Sequence, residues 1–361
     1  YREADWVKTG GDAVRNQNTD QSLYESTDVT ETNDLLLPMP GRFGLTLSGP
    51  ISVLPRTTFF VSGIHEAEDS HLPFGDKWLR QISGKLTNTL GVGKLAVSFG
   101  WRKNNSQNYS HTWKYVPEHY YRKFDTSSRI SATYTANLTN ALYLEVLSGY
   151  NLLDRDRKIF EDWDDYLSSD YSPADFTYSQ YFYNDDDWSD VWRESRTETF
   201  NNWAKMTWQM NPVHLWTSGL EFTSKRMDVE DIRDLRIGLN GEREGVVDRF
   251  EENPLEFAVF IQDKIELDYL VVNAGLRFDY VDPRAEGWSN PEDPEHTLEP
   301  IKAASQLSPR LGLAHPISSE WTLHFAYGHF FQFPDYINLF MNSADLDPDT
   351  LANRSFATVG N

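Results

Sequence analysis

The sequence predicts an all-β fold: an antiparallel transmembrane β-barrel, present in part as about twelve strands. Three observations carry the prediction. Segments of the chain alternate apolar and polar residues with period two, the connections between them alternate short and long, and aromatic residues gather at segment ends.

The alternation is clearest over residues 270–281. Leu270, Val272, Ala274, Leu276, Phe278 and Tyr280 fall on one face, and Asn273, Gly275, Arg277 and Asp279 on the other. Residues 321–331 repeat it, with Trp321, Leu323, Phe325 and Tyr327 against Thr322, His324, Ala326 and Gly328. Residues 257–267 follow the same rule, except that Asp263 falls on the apolar face, a position that suits a membrane rim. This pattern places strands near 42–49, 57–66, 78–88, 94–104, 123–137, 141–153, 196–210, 214–226, 254–267, 270–281, 306–317 and 321–332.

Six of the links are short (50–56, 89–93, 138–140, 211–213, 268–269, 318–320) and five are long and polar (67–77, 105–122, 154–195, 227–253, 282–305). Because they strictly interleave, every long loop falls at one end of the sheet. Soluble sandwiches have no reason to sort loops this way, whereas outer-membrane barrels pair short periplasmic turns with long extracellular loops. Tyr269, Trp321, Trp101, Tyr280, Tyr150, Phe330 and Phe331 lie near strand ends, where interfacial girdles sit.

Composition is compatible. Aromatics make up 14% of the 361 residues, with twelve tryptophans, which favours strands and wet–dry interfaces. The net charge of −22, from 55 acidic and 33 basic residues, would repel phosphate backbones and argues against a nucleic-acid partner. The absence of cysteine excludes disulfides and thiolate metal sites. No apolar run approaches the ~18 residues of a spanning helix. A barrel remains permitted despite a mean hydropathy of −0.59, because only alternate strand residues need be apolar. Residues 1–10 contain no signal peptide, so an exported protein would begin upstream. Residues 1–41 read as a loop or the end of a preceding barrel segment, 42–332 as barrel strands, and 333–361 as an extracellular loop cut short.

The long link around 154–196 is the most unusual, with thirteen carboxylates, five basic groups and eleven aromatics. Rings beside polar groups suit sugars, peptides or flat chelates, and Trp163, Trp188, Trp192 and Arg193 are the candidate ligand contacts. A surface loop packed on its own rings is the plainer alternative. Asp162, Asp164, Asp165 and the 185–187 aspartate run lack EF-hand spacing and read as a solvated charge cluster, so no metal is assigned. Asn240-Gly241 reads as a hairpin turn that would raise a two-stranded flap. The nine histidines form no H-E-x-x-H, there is no G-x-S-x-G or P-loop, and the chain reads as neither an enzyme nor a cofactor protein.

Two stretches carry a family resemblance: FAVFIQDKIELDYLVVNAGLRFDY at 257–280 and LSPRLGLAHPISSEWTLHFAYGHFFQFP at 307–334. They resemble mid-barrel strands of TonB-dependent outer-membrane receptors, in which a Q-D strand leads to G-x-R-x-D, then S-P-R-x-G, then Y-G-x-x-x-Q-x-P. Gln262, Asp263, Gly275, Arg277, Asp279, Ser308, Pro309, Arg310, Gly312, Tyr327, Gly328, Gln332 and Pro334 carry the match. LTLSGPI at 45–51 is similar to a hairpin of the large receptors that bear a carboxypeptidase-regulatory-like extension. The resemblance implies a Gram-negative outer-membrane location and energised uptake of a bulky, scarce solute: a metal chelate, vitamin, oligosaccharide or peptide. It implies outer-membrane lipid, the solute and the TonB complex as partners, the last through a missing N-terminal region. It also implies a barrel of about 22 strands, of which this chain would be the middle. Neither a plug nor a TonB box is present, and Val359-Gly360-Asn361 looks like a G-N-P-x-L-x-P-E segment cut inside the motif. A passive porin or structural barrel, or a secreted soluble carbohydrate-binding β-protein, are the alternatives.

Overall fold

The computed structural model describes residues 41–68, 77–159, 189, 191–237, 243–288 and 298–340. Its strands are β1 (Gly41–Pro50), β2 (Thr57–Glu68), β3 (Lys77–Leu90), β4 (Gly93–Ser106), β5 (Arg122–Thr139), β6 (Leu142–Lys158), β7 (Trp192–Gln209), β8 (His214–Ile237), β9 (Arg243–Glu252), β10 (Leu255–Leu267), β11 (Leu270–Asp282), β12 (Glu286–Trp288), β13 (Leu298–Pro300), β14 (Ala304–Pro316) and β15 (Thr322–Gly328), followed by a short helix, α1 (Tyr336–Phe340). One antiparallel sheet runs β1 through β8, then β10, β11, β14 and β15, each strand bonded to the next. Among the described residues β9 pairs only with β8, and β12 and β13 form a separate ribbon. The twelve-strand meander is the one the alternation predicts, and the sheet remains open between β1 and β15.

The register explains the hydropathy pattern. Directly paired residues share a face, so Val259, Leu220 and Phe278 align on one side, as do Leu276 with Ile261 and Phe325 with Leu313. Arg277 with Phe260, Asn273 with Lys264 and Gly312 with Asn273 align on the other. Among the described residues no layer packs on the apolar face: Leu276, Leu323 and Phe325 are exposed. A soluble sheet would bury such a face, whereas lipid takes that place on a barrel. On this face large rings cover glycines, with Phe99 over Gly84 and Tyr134 over Gly93, which restores packing where the strand lacks a side chain. Asp263 lies near the short-turn end, where its Oδ2 meets His214 Nδ1 at 2.7 Å. Trp208 and Trp216 pair beside it, and Tyr269 and Trp321 are exposed at the same end.

The turns at that end are tight. Gly91, at φ +57°, turns the chain between β3 and β4, a conformation that glycine adopts without a steric cost. The other end carries the long connections, and there the structure departs from the expected strand limits. β6 continues to Lys158, β7 begins at Trp192 and β8 reaches Ile237, beyond the expected ends at 153, 196 and 226. The ladder persists through Arg157↔Arg193 and Trp192↔Ile232. Ion pairs such as Lys158–Glu194 at 2.7 Å join strands where apolar contacts end. Beyond the lipid both faces can be polar, so pairing outlasts the alternation that revealed it. β8 and β9 form the expected flap, from Met227↔Glu252 to Ile237↔Arg243; its tip, including Asn240-Gly241, lies outside the described residues. β15, by contrast, stops at Gly328 rather than near 332. It is an edge strand, and the rings that follow it pack elsewhere.

Candidate functional site

Those rings close a cavity of about 490 Å³ on the polar face, toward the long-loop end. Its wall is Glu221, Thr223 and Lys225 of β8, Glu256 and Ala258 of β10, and Arg277, Asp279 and Val281 of β11; Phe331–Tyr336 cover it. Alternation brings these polar side chains to one face, and the register aligns Ala258 with Glu221 and with Asp279.

The wall is a charge network. Arg277 holds Glu221 bidentately, Nη1 to Oε1 at 3.1 Å and Nη2 to Oε2 at 2.7 Å, and donates from Nε to Asp279 Oδ1 at 2.8 Å. The planar fork matches the carboxylate geometry and fixes all three side chains. Above it Lys225 Nζ donates to Glu256 Oε1 at 2.8 Å and sits 4.5 Å from the centre of the Tyr336 ring.

The cover is apolar. Pro334 and Asp335 turn the chain into α1, whose Asn338 and Leu339 amides donate to the Asp335 carbonyl. Phe340 and Tyr336 are buried with Met227, Val281 and Ala285, flanked by Phe250, Ile301, Phe331 and Phe333. Phe250 meets Phe340 edge-on at 5.5 Å, and Tyr336 stacks on Phe340 at 5.7 Å. Burial and the neighbouring Glu256 push the Tyr336 phenol well above its usual range, so it stays neutral beside the carboxylates.

Burial, reinforced by the facing Glu286 carboxylate, pushes the Glu252 carboxyl up to about 7 at the base of the flap. A raised folded pKa means that the folded flap holds this proton while the unfolded chain releases it. Its contribution is therefore complete below the ordinary carboxylate range and is lost as pH rises through about 5 to 7. Hydrogen exchange of the β9 amides, corrected for intrinsic base catalysis, should accelerate over that window, and Glu252→Gln should flatten the response. A wild-type profile as flat as the variant's would remove Glu252 as the cause.

The structure places the four residues singled out in the sequence as follows. Trp163 and Trp188 lie outside the described residues, as do the acidic runs at 162–165 and 185–187. Trp192 and Arg193 open β7 rather than sitting within a loop. Trp192 is 4% exposed with Lys158 Nζ 5.1 Å from its ring, and Arg193 pairs with the buried Asp231 of β8. These two are thus close together at the base of the long connection. Its neighbour, the 107–121 connection, is compact: Gln107 Nε2 donates to the Pro117 and Tyr120 carbonyls, and the Ser189 amide donates to the His119 carbonyl. Among the described residues no three metal-ligating side chains gather.

The cavity and its cover did not emerge from the sequence pattern. One signal was there: Phe330 and Phe331 are adjacent, which breaks period two and marks the end of the strand.

The family model described as "TonB dependent receptor-like, beta-barrel" matches residues 70–361. The chain belongs to the TonB-dependent receptor family. Solved structures share its fold. The ferric-catecholate import receptor Fiu of E. coli K12, in its closed form, is 10% identical with a TM-score of 0.55, over 80% of this chain and 48% of Fiu. The hemophore receptor HasR of Serratia marcescens, solved as a double mutant with its hemophore HasA and heme, is 13% identical with a TM-score of 0.57, over 85% and 45%. The alcaligin outer membrane receptor FauA of Bordetella pertussis is 12% identical with a TM-score of 0.51, over 77% and 39%. The TonB-dependent receptor chain thus spans less than half the length of each. No curated protein sequence matches it. The Q-x-P end of the strand motif, Gln332 and Pro334, lines the cavity, together with Arg277 and Asp279 of G-x-R-x-D.

Proposed function

We propose that this chain is part of the barrel wall of a transporter for energised uptake of a bulky solute across the Gram-negative outer membrane, without chemical change to the solute. The observation that carries it is the pairing of a family barrel sheet with a covered, charge-lined cavity on its polar face. The long connections face the exterior and the short turns the periplasm, with 42–332 forming barrel wall and 333–361 an outer loop. Lipid covers the apolar face, and the TonB complex is engaged through a region outside this chain. The fold neighbours include a ferric-catecholate import receptor and a hemophore receptor solved with its hemophore and heme. A chelate of that size, a vitamin, an oligosaccharide or a peptide suits a cavity with both carboxylates and rings.

The outer ligand surface in this proposal includes Trp163, Trp188, Trp192 and Arg193. The motive is the length of the 154–196 segment, well beyond the ~12–15 residues after which a plain connection is uncommon, and its eleven rings. Trp192 and Arg193 anchor the base of that surface. In the full-length receptor, Trp188→Ala is expected to weaken solute binding by roughly 1–3 kcal/mol, the range of ring stacking, with barrel melting unchanged. Trp192→Ala removes a buried ring beside Lys158, so it should weaken solute binding and loosen the outer end of β7 together. Solute affinity that is unaltered in the double variant would remove these residues from the site.

A further inference from the structure

The polar face of β2–β6 differs in charge from the cavity wall. Its acids are each matched: Glu66 with Arg42, Glu68 with Lys77, Asp125 with Arg157 and Glu145 with Lys205, at 3.5, 3.8, 3.1 and 3.1 Å. Several cations on the same face are not, and three of them gather. Lys85 of β3, Arg102 of β4 and Arg129 of β5 are exposed and make no ion pair or side-chain hydrogen bond among the described residues.

The register brings the three around one residue. Gly100 lies directly opposite Arg129 and opposite Ser83, two residues from Arg102 on the same face. Lys85 faces Ser98, which places it diagonal to Gly100. Arg102 faces Ser127, so the two guanidinium stems are diagonal neighbours, about 7–8 Å apart at the backbone. A Cβ built on Gly100 would meet nothing within 4 Å, and its backbone is ordinary strand. The floor between the cations is therefore open. Ser83, Ser98 and Ser131 stand around it on the same face and supply hydroxyl donors.

Like charges at diagonal strand positions repel. In a chain of net charge −22, with acids to spare, a group of three without one is an arrangement that folding does not require. Guanidinium forks and an ammonium over an open glycine match oxyanion groups. We propose that this face is an anion-binding site, formed by Lys85, Arg102 and Arg129 around Gly100, for a solute bearing carboxylate or phosphate groups. It rests on the uptake reading in one respect, that this face lines the solute path.

The test uses the purified full-length receptor at low ionic strength, titrated calorimetrically with citrate and, separately, with inorganic pyrophosphate. The two arms distinguish carboxylate from phosphate preference. Arg102→Gln with Arg129→Gln should weaken binding of the preferred anion at least tenfold, and Arg102→Lys with Arg129→Lys should retain more of it. Gly100→Asp places a carboxylate in the open centre; it should abolish anion binding while leaving barrel melting unchanged or raised. Neither anion binding to the wild type, or equal affinity in Gly100→Asp, would overturn the site. Solute accumulation by cells reports on the uptake reading separately, so intact uptake with no anion binding condemns this site alone.

Discussion

Leu276→Arg is expected to destabilise the refolded full-length receptor by roughly 2–4 kcal/mol, and Asn273→Arg by much less. Both residues lie on β11, on opposite faces. Leu276 pairs with Ile261 and Pro309 on the apolar face, where its side chain is exposed with no protein layer over it. Asn273 pairs with Lys264 and Gly312 on the polar face. An arginine at 276 would place a guanidinium in hydrocarbon near the middle of the span, where neither water nor a carboxylate meets it. At 273 it would join the wet wall and add charge beside Lys264, a repulsion of a few tenths of a kcal/mol across strands. Unfolding in lipid vesicles by denaturant measures both. If Asn273→Arg cost more than Leu276→Arg, the assignment of faces would be inverted. If neither cost anything, the sheet would not lie in a bilayer.

The fold was legible because a barrel writes its pattern twice, once in each strand and again in the rhythm of the links. Alternation needs only Val259, Ile261, Leu276 and Phe278 against Gln262, Arg277 and Asp279, and the structure places each on the face that its parity gives it. What failed was the outer limit of strands. From Asp154 to Lys158 and from Trp192 to Arg196 the residues are charged on both faces, so no hydropathy signal remains although the ladder continues. The cavity was illegible for a different reason. Its wall joins β8, β10 and β11, and its cover comes from residues far along the chain, so it depends on a fold-back that no period encodes. Arg277 could be read as a polar-face residue, but its bidentate hold on Glu221 requires knowing that β8 lies on the far side of β10. The unmatched cations around Gly100 are similar: each is visible as a polar-face residue, and only the register shows that they share a centre.

Phe340→Ala is expected to release the cover of the cavity, with a local cost of roughly 3–5 kcal/mol, the usual loss for truncating a buried phenylalanine. Phe340 is 1% exposed, at the centre of the cluster that ties α1 to the base of the β8–β9 flap and to the end of β11. It stacks on Tyr336 and meets Phe250 edge-on, so its ring bridges cover and flap. α1 spans only one turn and a half, far below the ~12–15 residues at which an isolated helix becomes marginal, so its order comes from this packing. The hydrogen-bonded ladders of β8, β10 and β11 lie beneath and do not depend on the ring. Truncation should therefore open the cover without melting the sheet. At about 1.4 kcal/mol per factor of ten, that cost corresponds to a rise of roughly two to three and a half decades in exchange of the Ile337–Phe340 amides. The amides of β11 and the barrel melting point should hold. Lys225, which lies against the Tyr336 ring, would lose that contact but keep its bond to Glu256, so the charged wall should stay formed and become open to water. If instead the whole sheet lost stability along with α1, Phe340 would belong to a common core and the cover would not be a separable element. If exchange in α1 did not change, the cluster would not be what holds it down.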